Sequence, residues 1–419
     1  MIEKLKAWIL RLSLNSLWEE EEEDDWEDFD MQDDYISGAE EDTEREAKSG
    51  VTPAIVYFVI VVLLVMAALS YMVFSHRHLY TGYSVTESYE GADVIGTSYL
   101  KIGGNFFKYG SDGVSMVNGR NELIWSNAYT MQTPTVDFTG QTLLIYEQQG
   151  YQVYLVDGCG IIGNFITDLP IMRGEVADNG VTALLLKNDR DCLIRMYSRE
   201  GTQIAEVKST LEDSGYPTAF DISSDARTLM VALTRIGSGT VDSSIMFYDF
   251  SSASEADDEH FIGSISYKDQ VFPEAFFAND RMPVAVGDSM IVVMSSGGAV
   301  SEKRKIHVDG EIISTFHGED YIGLVLPSSD TENRYLLQVY RYNGKQTMSQ
   351  AFNEGYSEIS IDSGEILVYS QSHMMAFTPD GTWRLNSDFT KPIAAFAKIP
   401  GFRRYSVITW SGIYRIRAQ

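Results

Sequence analysis

From about residue 97 to the C-terminus the sequence repeats roughly every 40 residues, and each repeat carries four short β-type runs. A unit of that kind cannot bury its own apolar faces, so neighbours must stack, and four strands at this period make a propeller blade. The clearest unit, residues 134–168, reads TVDF, QTLLIYEQ, GYQVYLVDG and GIIGNFITD. Its last two runs meet at Asp157-Gly158, a two-residue hairpin signal expected to supply positive φ. The signal recurs at Asn118-Gly119, near Gly201, at Asn343-Gly344 and at Asp380-Gly381, while SIMFYDF passes through a polar insertion, 251–259, to FIGSISY.

The units fall at 97–130, 131–170, 171–210, 216–269, 270–309, 310–353, 354–390 and 391–419. The last holds only three runs, IAAFAKI, RRYSVITW and GIYRIRAQ. A strand from residues 84–89, SVTESY, would supply the fourth, pair the two ends of the domain and remove an exposed sheet edge. The expected fold class is therefore an all-β propeller of eight blades, following a single transmembrane helix and a disordered acidic tail. Seven blades is the alternative, because the unit at 270–309 is the least regular.

The units with x-V-Y-L-x-D-G-x-G or Y-x-x-x-G-x-x-I resemble the hairpins of the PQQ-like and WD-type propeller superfamily. The whole layout resembles uncharacterised bitopic, membrane-anchored propeller proteins of Gram-positive bacteria. The resemblance covers about residues 84–419 and is architectural. The Trp-containing docking signature of quinoprotein dehydrogenases and the Gly-His/Trp-Asp pair of WD repeats are absent. It implies a fold and no particular activity.

Residues 54–74, AIVYFVIVVLLVMAALSYMVF, contain no charged side chain. As a helix rising ~1.5 Å per residue, such a stretch covers the ~30 Å hydrocarbon core of a bilayer. It is too long for the apolar region of a cleavable signal peptide and lacks a small-x-small exit. The flanking charges nearly balance, Arg45 and Lys48 before it against Arg77 after it. Lys4, Lys6 and Arg11 tip the expectation to a cytoplasmic N-terminus and an extracytoplasmic propeller at the plasma membrane, with the reverse orientation as the alternative. The expected divisions are an amphipathic interfacial helix at 1–18, an acidic cytosolic tail at 19–50, a transmembrane helix at 51–76 and the propeller at 77–419.

In 1–18, Ile2, Leu5, Trp8, Ile9 and Leu12 share one helical face and Glu3, Lys4, Lys6 and Arg11 the other, a pattern suited to a membrane interface or a partner protein. Residues 1–50 hold 18 acids against 5 bases, too charged and too poor in apolar surface to fold alone. Trp26, Phe29 and Tyr35 interrupt the acids and form a candidate docking motif for a basic groove, against the plainer reading of a solvated spacer.

The formal net charge of -28 argues against nucleic acid as a partner. No zinc-protease, phosphate-loop or nucleophile-elbow motif occurs, and the six histidines fall in different units, so no catalytic residue, metal or cofactor is expected. Loop acids at Glu212-Asp213 and at Glu255, Asp257, Asp258 and Glu259 keep a glycan- or lipid-processing enzyme as the rival reading, and a ligand sensor is a third. The favoured expectation is a non-enzymatic platform for a protein partner or an anionic envelope polymer. One surface is singled out. Residues 389–419 hold Lys391, Lys398, Arg403, Arg404, Arg415 and Arg417 and no acid, and next to membrane lipid they would form a basic binding face; the alternative is that these charges pair with acids on the neighbouring first and seventh blades.

The two cysteines generate the first prediction. Cys159 follows the third run of one unit and Cys192 begins the third run of the next, at opposite ends of strands running the same way, beyond the ~7 Å Cα limit for bridging. A non-reducing peptide map is expected to show both thiols free; a 159–192 linkage would break the blade register.

Overall fold

The structure is a computed structural model that describes residues 53–419 apart from 189–190, 211–213, 238 and 252–259. Among the described residues there are one helix, α1 (Pro53–Arg77), and eight four-stranded antiparallel sheets. Along α1 every side chain from Tyr57 to Tyr71 is exposed. Counted over those described side chains alone, no helix is long and apolar enough to cross a membrane.

The eight sheets are the eight expected blades. Blade one spans 98–128, blade two 134–166, blade three 171–210, blade four 216–268, blade five 274–307, blade six 314–352 and blade seven 358–388. In each, the four strands follow one another in chain order. The unit at 270–309 is as regular as the rest, with strands Glu274–Asn279, Met282–Val286, Met290–Ser295 and Ser301–His307.

Blade eight is built from both ends of the domain. Its inner three strands are Ala395–Lys398, Arg404–Thr409 and Gly412–Ala418, and the outermost is Tyr83–Glu90. Tyr83 pairs with Ala418 and Glu90 with Gly412, with one irregularity between Val85 and Glu87. The pairing continues past the ladder. Gly82 and Gln419 exchange both backbone hydrogen bonds, at 3.2 and 2.9 Å, and the Asp93 amide reaches the Trp410 carbonyl at 2.9 Å.

The strands' sequences follow from their place in the sandwich of blades. The second strand of a blade is covered on both faces, so it is a continuous apolar run: Thr142–Glu147 is buried at its first five positions, and Ile366, Leu367 and Val368 are wholly buried. Outermost strands alternate instead, as in Leu123–Ala128 and Phe261–Lys268.

The core is divided among the seams between neighbouring blades. Leu144 and Leu155 of blade two pack with Leu184 and Leu193 of blade three, and Met230 and Phe247 of blade four pack with Val292 and Met294 of blade five. Leu367 and Met374 of blade seven meet Tyr405 and Ile416 of blade eight. The seam between blades eight and one has the smallest fully buried cluster, Phe106, Val117, Ala397, Ile408 and Ile413.

The hairpins differ from expectation in their turns. Gly201, Gly344 and Gly381 do carry positive φ, at 82°, 88° and 87°. Each closes a longer loop behind a one-residue register shift, as between Val339 and Tyr340, and is not a two-residue turn. At Asp157-Gly158 and Asn118-Gly119 the acid or amide side chain makes the turn. Asp157 Oδ1 accepts from the Cys159 amide at 2.7 Å, Asn118 Oδ1 accepts from the Arg120 amide at 2.8 Å, and positive φ falls later, on Gly160 and Asn121. Both cysteines are free, Cys159 exposed and Cys192 half-buried.

Closure of the ring makes a measurable demand. Deleting residues 83–90 leaves the strand Gly412–Ala418 unpaired on one edge and is expected to abolish the cooperative melt. Deleting 330–332, an exposed loop tip in blade six, is expected to move the melting temperature by only a few degrees. Ile416→Ala, at a fully buried site, is expected to cost about 2–5 kcal/mol in denaturant unfolding.

Candidate functional site

The six basic residues of 389–419 are not one uniform surface. Lys391 is exposed, and its ammonium donates to the Tyr414 hydroxyl and stands 4.5 Å from that ring's centroid. That hydrogen bond holds the Tyr414 phenol below its usual pKa. Lys398 is buried on the inner strand, and its Nζ lies 3.0 Å from the Gly401 carbonyl and 3.4 Å from Glu365 Oε1. Burial pushes its pKa down while Glu365 pulls it up, so its charge belongs to the interior and not to a surface. Arg403 is half-buried with its guanidinium 4.5 Å from the Tyr80 ring.

Arg404, Arg415 and Arg417 do come together. Arg404 stands directly opposite Arg417 across the ladder, and Arg415, two residues from Arg417, shares that face. Arg415 donates to Glu87 of the closing strand at 2.7 Å and to the Gly119 carbonyl of blade one at 3.1 Å. Tyr89, then Arg415 and Arg404, hold the Glu87 carboxyl below its ordinary range. Behind these residues a cavity of ≈ 230 Å³ opens in the seam between blades eight and one. It is lined by Lys101, Arg404, Arg415 and Ser406, by the backbone of Gly103, Gly104 and Gly119, and by Phe106, Ile399 and Pro400.

A second charged feature, on the inner strands around the central axis, was missed from sequence. Asp137, Asp221 and Asp362 each accept a hydrogen bond from a backbone amide of the next blade's inner strand: Val176 at 2.7 Å, Phe277 at 2.6 Å and Lys398 at 2.8 Å. Each aspartate thus pins two blades together. The available signal was an Asp near the end of a first run, in TVDF, AFDI and SIDS. Burial of that Asp at the axis is a property of the closed ring and is not encoded in any one run.

Between blades two and four these acids crowd. Arg173 donates to Glu175 at 2.6 Å, with Asp137 and Asp221 nearby in the same electrostatic cluster. Burial is the largest cause of the rise in each acid's pKa, and repulsion from neighbouring carboxylates adds to it for Glu175 and Asp221. Asp221 is pushed up to about 8. One guanidinium cannot stabilise three buried carboxylates, so the cluster retains a proton near neutrality. A cavity of ≈ 350 Å³ lined by Thr135, Asp137, Tyr146, Arg173 and Glu175 adjoins it. Farther round, Thr315 donates to Glu274, and Lys101 pairs with Asp362 at 2.6 Å.

Among the described residues no group of three or more His, Cys, Asp or Glu side chains is placed to hold a metal ion. Trp26, Phe29 and Tyr35, and the loop acids Glu212, Asp213, Glu255, Asp257, Asp258 and Glu259, lie outside the described residues.

A family model described as a family of unknown function, DUF5711, matches residues 75–417. The chain belongs to this family. No curated protein matches the sequence. Among solved structures it is similar to BamB from Moraxella catarrhalis, at 10% identity and TM-score 0.48 over 81% of this chain and 100% of that one. It is also similar to apo AztD from Citrobacter koseri, at 10% identity and TM-score 0.48 over 71% and 87%. The Neurospora crassa Pan2 WD40 domain is similar at 12% identity and TM-score 0.42 over 68% and 88%. These likenesses are remote. For this DUF5711 protein the propeller is established by its own strand order, and the cavities by its own side chains.

The axial acids generate a pH prediction. An acid whose pKa is raised on folding binds its proton more tightly in the folded state, so its contribution is full at low pH and is lost as pH rises through the folded value. For Asp221 that loss runs from about pH 4 to about pH 8. Melting temperature is therefore expected to fall between pH 5 and pH 8, and Asp221→Asn to flatten the fall. An equal slope in the variant would remove Asp221 as its source.

Proposed function

We propose that this protein is a single-pass plasma-membrane protein whose propeller stands outside the cytoplasm as a non-enzymatic binding platform. A protein partner or an anionic envelope polymer occupies the ring, and the acidic N-terminal tail faces the cytosol. The observation that carries the reading is the charge-free stretch 54–74, helical within α1, followed after a five-residue linker, 78–82, by the strand that closes the ring. With the helix in a bilayer, a linker that short keeps the propeller at the membrane surface, where basic side chains gain roughly 1 kcal/mol each from anionic lipid.

A binding role is favoured over catalysis by the state of the acids. Asp137 and Asp221 have raised pKa values, as a general acid would, but each commits an oxygen to an amide of the next blade. Moving either proton or carboxylate toward a substrate would break a hydrogen bond that ties the ring. Surfaces between blades, where loops and seam cavities meet solvent, are what a propeller offers a partner.

Protease added to intact cells or protoplasts is expected to remove the propeller and leave the tail protected. The reverse pattern would place the propeller in the cytoplasm. Affinity capture on the full-length protein in detergent is expected to retain a discrete protein or anionic polymer, with no turnover of envelope glycans. Turnover would replace the platform reading with the enzymatic one.

A further inference from the structure

The seam between blades eight and one combines features found together at no other described seam: the smallest fully buried apolar cluster and a cavity with cationic walls. Lys101, Arg404 and Arg415 line that cavity, and no carboxylate does. We propose that it is a binding site for a phosphoryl dianion, either free phosphate or the phosphomonoester headgroup of a lipid. The proposal rests on the platform reading and names the chemistry of one of its ligands.

The charge balance comes first. Around the cavity stand Lys101, Arg404, Arg415 and Arg417, and the carboxylates that answer them are Asp362 and Glu87. Lys398 and Glu365 cancel each other. Two positive charges are left over in a chain whose total is -28, so the excess is local to this seam. Arg404 and Arg417 face each other directly, an arrangement that destabilises a ladder unless a counter-charge sits between or beside them.

The donors come second. Arg415 is already engaged by Glu87 and Gly119, and Lys101 by Asp362 and the Lys398 carbonyl, each at 2.6–3.1 Å. Those bonds fix their positions as part of the wall. Among the described residues, no acceptor takes a hydrogen bond from the Arg404 guanidinium. A planar fork of that kind matches two phosphoryl oxygens at once, which an ammonium cannot do. Gly119 keeps the wall close, since a Cβ there would stand 2.8 Å from Arg415 Nη2 and 3.1 Å from the Gly104 carbonyl. The ≈ 230 Å³ of the cavity accommodates a phosphoryl group with a few attached carbons, and Phe106, Ile399 and Pro400 give those carbons an apolar wall.

The test is calorimetric titration of the full-length protein in neutral detergent at low ionic strength, with inorganic phosphate, a short-chain phosphatidic acid and a short-chain phosphatidylcholine as separate titrants. Phosphate and phosphatidic acid are expected to bind and phosphatidylcholine is not. Arg404→Gln is expected to weaken binding about tenfold or more, the effect of losing hydrogen bonds to a charged group. Arg417→Gln, outside the cavity, should change it less than about threefold, as a screened neighbouring charge. Should Arg404→Gln not fold, Arg404→Lys keeps the charge, loses the fork and should still weaken binding measurably. Binding of phosphatidic acid alone would assign the site to a lipid headgroup, and binding of both to the phosphoryl group itself. No binding by the wild-type chain, equal binding of phosphatidylcholine, or binding indifferent to Arg404 overturns the proposal. Failure here leaves a captured protein partner standing, and failure to capture one leaves the phosphate titration standing.

Discussion

The pairing of Tyr83–Glu90 with Gly412–Ala418 holds the architecture together. Seven blades are made from contiguous chain and need only local hairpins. The eighth needs two segments more than 300 residues apart to meet in register. Each blade is covered on both faces only if both neighbours are in place, so the apolar second strands of blades one and seven depend on that one ladder. Fully burying a Val, Leu, Ile, Phe or Met side chain contributes roughly 1.5–3 kcal/mol. Ile413 and Ile416, on the last strand, point into different seams, toward blade one and blade seven respectively. The closing ladder therefore acts on two cores at once.

The cost of closure shows in how unevenly the seams are filled. Most neighbouring blades meet through ten or more buried side chains, whereas blades eight and one meet through five. Polar contacts cross that join instead: Arg415 donates to the Gly119 carbonyl, Lys101 to the Lys398 carbonyl, and the Asn121 amide to the Glu90 carbonyl. A seam held this way leaves space between its walls, and the space is cationic because the last blade has no acid in its own sequence beyond residue 388. Structural weakness in apolar packing and the capacity to hold an anion have the same origin.

Charge at the axis follows a different logic. Inner strands of neighbouring blades share no ladder, and Asp137, Asp221 and Asp362 supply single hydrogen bonds across the gap. Burying carboxylates is costly unless they are hydrogen-bonded or protonated; all three are hydrogen-bonded, and burial raises the pKa of Asp137 and Asp221. The cluster around Arg173 couples ring stability to a proton, whatever the ring binds.

Much of the fold was legible in the amino-acid order. A period near 40 residues, four runs per unit and one unit short of a strand are local facts, and with the rule that edges must be covered they lead to eight blades and a closing strand at 84–89. Local geometry was less legible at the turns, because Asp157 and Asn118 form side-chain turns that compete with the backbone type an Asp-Gly or Asn-Gly pair suggests. The candidate site was legible only as a list of six bases. The sequence by itself determined that the last blade is basic and that Arg415 and Arg417 share a side. Only the tertiary structure decided that Lys398 is buried with Glu365, that Arg404 faces Arg417 without an acceptor, and that Lys101 from the opposite end of the ring completes the wall. The reason is that strand periodicity assigns a face, whereas burial and pairing depend on which blade packs against that face, and in a ring the first blade is the neighbour of the last.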